Sequence, residues 1–364
     1  MIISDVTALL EQLAPLSYQE SYDNSGLLVG DPSIPLKGIL ATLDVTPEVV
    51  EEAHQKGLNI IVSHHPLIFN GLKKIVGKTY VEKAVVLAIK YDIAIYAAHT
   101  NLDNIKGGVN SKIGELLGLN NLNFLSPIEG ELVKVIAFVP SNMAEKVRQA
   151  MFDAGAGSIG NYDCCSYNIE GKGTFRASEG TNPYVGNIGE LHFEPETRIE
   201  VIVQKARLSK VIREMILAHP YEEVAYDIYP LLNTNNGAGA GMVGELESPI
   251  SELDFLKIVK KVFNLQSIRH TSLLGKEIKK IAFCGGSGAF LIKQAIAVGA
   301  DIFITGDVKY HQFFDAENRI IIADIGHFES EQFTVDIFYE YLLKNFPKFA
   351  VLKSEIKTNP INYI

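Results

Sequence analysis

Five side chains carry most of the chemistry legible in this 364-residue chain: His64, His65, Asp103, His327 and Glu331. Each stands just past an apolar run that reads as a buried strand. Ile60-Ile61-Val62-Ser63 ends in His64-His65-Pro66, and Ile95-Tyr96-Ala97-Ala98 ends in His99, with Asp103 four residues later. Near the other end of the chain, Ile321-Ile322-Ala323-Asp324 leads to His327 and Glu331. Carboxyl ends of strands are where open α/β sheets bind ligands. Imidazole nitrogen and carboxylate oxygen are mixed donors that suit zinc, manganese or iron rather than calcium. The chain has only nine histidines, so three strand-end clusters of one chemistry argue for a shared site. Five donors are enough for two divalent ions if Glu331 bridges them, with positions left open for water or substrate. Two such ions polarise a substrate oxygen and lower the pKa of bound water towards neutrality. Consecutive strand side chains point to opposite faces, so His64 and His65 are expected in the loop after the strand, serving neighbouring ions.

Other residues admit two readings. His99 serves as a general acid/base, as a group orienting a ligand, or as a hydrogen-bonded core histidine. Asp307 and His311 either join the pocket wall or cap a helix. Cys284-Gly285-Gly286-Ser287-Gly288-Ala289 either cradles an anion on its backbone N–H groups or forms a tight turn with close helix packing; it lacks the phosphate-loop lysine and does not match GxGxxG. Tyr22-Asp23-Asn24-Ser25-Gly26 either lines a pocket or turns the chain. His219-Pro220-Tyr221-Glu222-Glu223 reads as a surface turn.

The elements that must position these residues follow a strand–helix grammar. A helix capped by Ser4 runs to Leu13; strands are expected over 38–43, 59–63 and 93–98, with helices over 46–56 and 80–91. The same order returns with strands over 278–284, 301–305 and 320–323, helices over 290–297 and 310–317, and a last helix over 330–344 capped by Ser330. This alternation predicts an α/β core of mostly parallel sheets with flanking helices, the two ends forming halves of one layer. Between them, strand 131–140, helix 144–154, a glycine-rich polar stretch over 155–189, strand 198–204, helix 209–218 and strand 224–229 describe an inserted α+β unit of the ferredoxin-like, split βαβ type. The predicted division is 1–127 and 237–364 for the core and 128–236 for the insert. Residues 233–241 have the composition of a linker or a pocket-lining loop.

Composition narrows the function classes. With 47% apolar residues the chain can bury a large core, and 33 basic against 43 acidic residues leave a formal −10, which disfavours nucleic acid and anionic membranes. No apolar run approaches the ~20 residues of a membrane span. The N-terminus lacks the features of a secretory signal, and three cysteines make no disulfide framework, so a soluble cytoplasmic protein is expected.

With Asp23-Asn24-Ser25-Gly26, Ser63-His64-His65-Pro66, His99-Thr100-Asn101-Leu102-Asp103, Thr305-Gly306-Asp307 and Gly326-His327 with Glu331, the sequence resembles the NGG-interacting-factor-three-like family, also called GTP cyclohydrolase I type 2 homologs or dinuclear metal-centre proteins. The middle resembles the PII-like, CutA-like insert of longer bacterial members, including His219-Pro220-Tyr221-Glu222-Glu223. The resemblance implies two divalent ions per chain, zinc first and manganese or iron next. Under it, His65 and Asp103 hold one ion, His64 and His327 the other, and Glu331 bridges. It also implies a homohexameric toroid with metal sites facing an internal cavity. The expected function is a metal-dependent hydrolase acting on a nucleotide or phosphorylated metabolite, with His99 as proton shuttle. The alternative is a non-catalytic regulatory or scaffold assembly with structural metals and a ligand-sensing insert.

Overall fold

The apolar runs that precede the candidate ligands form buried strands: Ile60, Ile61, Val62 and Ile95 have no solvent exposure, and neither do Ile322 and Ala323. The computed structural model describes residues 1–364, the side chain of Asn236 apart. In chain order the first strands are β1 (Gly26–Val29), β2 (Gly38–Thr42), β3 (Ile60–Ser63), β4 (Ala94–Ala97) and β5 (Asn120–Ile128). The middle supplies β6 (Leu132–Pro140), β7 (Ser166–Arg176), β8 (Leu191–Gln204) and β9 (Tyr226–Pro230). The remainder supplies β10 (Asn235–Ser251), β11 (Arg269–His270), β12 (Glu277–Phe283), β13 (Ile302–Thr305), β14 (Ile321–Asp324) and β15 (Ala350–Lys353). The chain divides into one unit of Met1–Ser126 with Ala238–Ile364 and a second of Pro127–Gly237.

The terminal segments build a mixed α/β unit, though not as halves of one layer. They form two sheets, ordered β1-β4-β3-β2-β15 and β11-β14-β13-β12-β10-β5. Each sheet has a parallel centre: β2, β3, β4 and β15 in the first, β12, β13 and β14 in the second. Antiparallel neighbours flank them, β1 beside β4 and β10 beside β12. Each terminal segment also lends a strand to the other's sheet, since β15 pairs with β2 and β5 lies beside β10. The lent strands leave little local signal because few of their residues are buried: Val351 in β15, and Phe124 and Leu125 in β5.

Helix boundaries follow their caps. Thr46 accepts from the Val49 N–H with Pro47 in the first turn, and Thr79 accepts from the Glu82 N–H. The first helix covers Ile3–Leu13 and is closed not by Ser4 but by Asp5, whose carboxylate accepts from the Ile2 N–H at 2.8 Å. The single last helix expected from Ser330 is two helices, His327–Glu331 and Thr334–Asn345. Ser330 sits inside the first, where its hydroxyl donates to the His327 carbonyl. The expected linker at 233–241 instead enters β10 at Asn235. Its small residues serve close packing: a Cβ on Gly241, at φ +58°, would lie 2.7 Å from Leu291 Cδ1 and 3.0 Å from the Phe283 carbonyl oxygen.

The inserted unit follows the order β6, helix Ala144–Asp153, β7, β8, helix Lys205–Ala218, β9, with its sheet ordered β7-β8-β6-β9. Val133, Val135, Ala137 and Val139 alternate on one face and pack against Val147, Met151, Val211 and Met215. Most of β7 is exposed, which is why a strand here is composed largely of polar and glycine residues. His219 is buried rather than part of a surface turn: its Nε2–H donates to the Phe138 carbonyl and its Nδ1 accepts from the Tyr221 N–H, both at 3.1 Å.

Candidate metal centre

Every candidate ligand follows the carboxyl end of a parallel strand. His64 and His65 leave β3, His99 and Asp103 follow β4, and His327 and Glu331 follow β14. The last pair is four residues apart in one short helix, which puts both side chains on one face with His327 Nε2 3.1 Å from Glu331 Oε2. The carboxylate of Glu331 lies between two sets of donors. Its Oε2 is 2.9 Å from His65 Nε2, and its Oε1 is 3.6 Å from His64 Nε2, which is itself 3.6 Å from Asp103 Oδ1.

The outer nitrogen of each imidazole is already bound. The Nδ1 of His64 donates to the Ala98 carbonyl at 2.9 Å, while His65, His99 and His327 place Nδ1 at 2.7 Å from Asp44, Asp23 and Asp307 respectively. Such bonds fix the ring and its tautomer and leave Nε2 as the atom that could coordinate a metal. Asp44 went unnoticed in the sequence, although it follows the end of β2 as the histidines follow theirs. Asp23 is the reason for the Asp23-Asn24-Ser25-Gly26 segment: it accepts from His99, from the Thr100 N–H and from the Ser25 hydroxyl. Burial works against its carboxylate, yet the bonds from His99 and Thr100 hold it well below the usual carboxylate range.

The donor set attracts positive charge. Burial opposes the imidazolium of His65 and His327, but Asp44 and Glu331 lift His65 to about 10, and Glu331 and Asp307 lift His327 to about 9. Burial beside Glu331 pushes Asp103 up to about 8. His64 Nε2 and Asp103 Oδ1 are buried without a hydrogen-bond partner, a costly state for polar atoms. A divalent cation would relieve both, so the residues fit a metal centre. Three overlapping groups have their ligand atoms within 4.8 Å of one another: His64 with Asp103 and Glu331, His65 with His327 and Glu331, and His64 with His65 and His99. The pairing differs from the one the resemblance implied. His64, anchored on the end of β4, turns to Asp103 just beyond that strand, whereas His65, anchored on Asp44, faces His327.

The glycine-rich turn after β12 is not an anion cradle, because three of its N–H groups are spent on protein acceptors. Gly285 donates to Asn110 Oδ1, Gly286 to Ser330 Oγ and Gly288 to Thr305 Oγ1. Glycine at 286, with φ +60°, is required by the approach of Glu331, whose Oε1 would lie 2.3 Å from a Cβ there. Asp307 supports His327, but His311 is exposed and does not line the cavity. The centre opens into a cavity of about 560 Å³, with His65, His99, Asp103, His327 and Glu331 on its wall and the exposed rings of Tyr22, Phe69, Tyr80 and Phe290 around them. Cys284 also lines it, but burial pushes its thiol up, away from thiolate reactivity.

The profile of the Duf34/NIF3 (NGG1p interacting factor 3) family matches residues 1–360. The chain belongs to the Duf34/NIF3 family. Its relatives include a "GTP cyclohydrolase 1 type 2 homolog" of Halalkalibacterium halodurans, 40% identical over 365 residues and covering 99% of this chain and 98% of that one. A Bacillus subtilis relative of the same name is 37% identical over 364 residues, again covering 99% and 98%. Among solved structures, a Bacillus cereus protein related to NIF3 is similar at a TM-score of 0.88 and 40% identity, covering 100% of this chain and 99% of the other. In this NIF3 family member no helix among the described residues is long and apolar enough to cross a membrane.

Proposed function

We propose that the chain is a dinuclear metal-dependent hydrolase acting on a nucleotide or phosphorylated metabolite. The observation that carries this reading is Glu331, whose two carboxylate oxygens face two separate donor groups on the wall of an open cavity. His64 and Asp103 would hold one ion, His65 and His327 the other, and Glu331 would bridge them. A bound pair of divalent ions, zinc first and manganese or iron next, would supply Lewis acidity and an acidified water. The chain's own residues do the rest. His99, held by Asp23 through Nδ1, keeps Nε2 available to carry a proton between water and leaving group. The Asp44 and Asp307 carboxylates keep the His65 and His327 rings aligned. Exposed aromatic rings on the cavity wall suit a planar base. The relatives' name supports a guanine nucleotide as the first substrate to try; phosphoester and amide hydrolysis use the same polarisation.

The test is metal analysis by mass spectrometry on protein purified without chelator, followed by a nucleotide and phosphoester turnover screen of the same sample. About two ions per chain are expected, with turnover lost in His64→Ala and in Glu331→Ala. Undiminished turnover by metal-free His64→Ala protein would overturn the reading. His99→Asn separates the two roles of that ring: as proton shuttle it lowers turnover with metal content intact, and as ligand it lowers both.

A second reading is a regulatory or scaffold assembly with structural metals, favoured by a separate cavity of about 410 Å³ in the inserted unit. Its βαββαβ order supports calling that insert PII-like. Bound ions with no exchangeable water would select this alternative. The resemblance further supports a homohexameric ring in the cytoplasm, which native mass spectrometry tests as six chains per particle.

A further inference from the structure

Within the inserted unit, the end of β7, the loop over 177–184, Glu196 of β8 and the turn at Tyr221–Glu223 line an open cavity of about 410 Å³, a volume typical of small-molecule sites. Its walls are aromatic. The Tyr221 ring lies 6.0 Å from that of Phe175 and 6.2 Å from that of Tyr184, with interplanar angles of 59° and 53°. Rings so tilted form angled walls rather than a stack. Aromatic faces carry negative potential and attract cations.

The charges on the wall have the same sense. Three carboxylates, Glu196, Glu222 and Glu223, face one basic side chain, Arg176. Glu222 is spent on the loop, its two oxygens accepting from the Asn182 N–H at 3.1 and 3.2 Å. Glu196 is positioned instead: its Oε1 accepts from the Tyr221 hydroxyl at 3.1 Å. Its Oε2 lies against Gly173, where a Cβ would sit 2.1 Å away. The turn that carries Tyr221 is locked from beneath by buried His219, bonded to the Phe138 carbonyl and the Tyr221 N–H. The site is thus built rather than incidental. Among the described residues, the clusters of histidine and carboxylate donors close enough to hold a bare metal ion all lie in the terminal unit. An anionic ligand would meet an excess of carboxylates.

We propose that this cavity binds a small organic ammonium ion, its cationic head against the rings of Tyr221, Phe175 and Tyr184 and its charge balanced by Glu196. The proposal is independent of the metal chemistry in the terminal unit.

Isothermal titration of the full-length protein with choline, tetramethylammonium and putrescine tests it, with 3,3-dimethyl-1-butanol as the uncharged isostere of choline and succinate as the anionic control. At least one ammonium ligand is expected to bind. For choline, the isostere should be weaker by about ten-fold or more. Tyr184→Ala and Glu196→Gln should each weaken the bound ammonium by about five-fold or more, with the thermal midpoint of the insert unchanged. Loss of that midpoint in Tyr184→Ala would leave Glu196→Gln as the deciding variant, since it keeps both shape and volume. Binding of none of the three cations at millimolar concentration, equal affinity for choline and its isostere, or a preference for succinate would overturn the proposal.

Discussion

The two cavities use histidine in opposite ways. In the terminal unit His64, His65, His99 and His327 each commit Nδ1 to a carbonyl or carboxylate and aim Nε2 at the centre. In the inserted unit His219 commits both nitrogens, one to the Phe138 carbonyl and one to the Tyr221 N–H, and burial pushes its imidazolium down. A histidine whose second nitrogen faces other ligand-type donors can coordinate; one bonded at both nitrogens to the backbone can only brace. The difference extends to the walls. Around Glu331 each imidazole ring is fixed by a bond from behind, the preorganisation a metal site demands. The aromatic cavity keeps Tyr184 about half exposed, at 48%, which suits a diffuse cation–π contact that tolerates movement.

Substitutions can break this comparison or sharpen it. The largest effect is expected from Glu331→Ala, which removes a ligand common to both groups: both ions should be lost in metal analysis and turnover should vanish, while ammonium binding by the insert is unaffected. His64→Ala comes next, reducing occupancy to at most one ion, again with loss of turnover. A smaller step is Asp44→Asn or Asp307→Asn, which loosens a ring without removing a ligand. Metal affinity should fall by about 10–100-fold, measured by competition with a chelator. Gly286→Ala is expected to cost about 1–3 kcal/mol in denaturant unfolding and to weaken metal binding, because the new methyl group contests the position of Glu331 Oε1. Smallest of all, Ile199→Val in the fully buried core of the insert should cost about 0.5–1.5 kcal/mol and leave metal occupancy unchanged. A change in metal content there would show that the two regions do not act separately.

Much of the site was legible before the fold. The pattern of an apolar run ending in His or Asp marks β3, β4 and β14, because a strand buried on both faces must be continuous in apolar residues and its first polar residue marks the exit. The same rule applied to Leu43-Asp44 would have found the partner of His65. The Tyr22–Gly26 turn and Asp307 were visible only as candidates, since their roles depend on side chains far away in sequence. His311 and the glycine-rich turn show the reverse: residue types suited to chemistry that the fold uses for a surface helix and for close packing.

Residue types and spacing alone determined that this chain carries an α/β core, an intervening α+β segment and a shared set of histidine and carboxylate donors, because burial imposes local periodicities that can be read along the chain. Only the tertiary structure decided that the core is two sheets exchanging strands, that His64 meets Asp103 while His65 meets His327, and that Tyr221 and Glu196 close a second cavity. Those outcomes depend on which elements pack together and on which outer nitrogen each backbone or carboxylate partner holds, and neither leaves a trace in the local pattern.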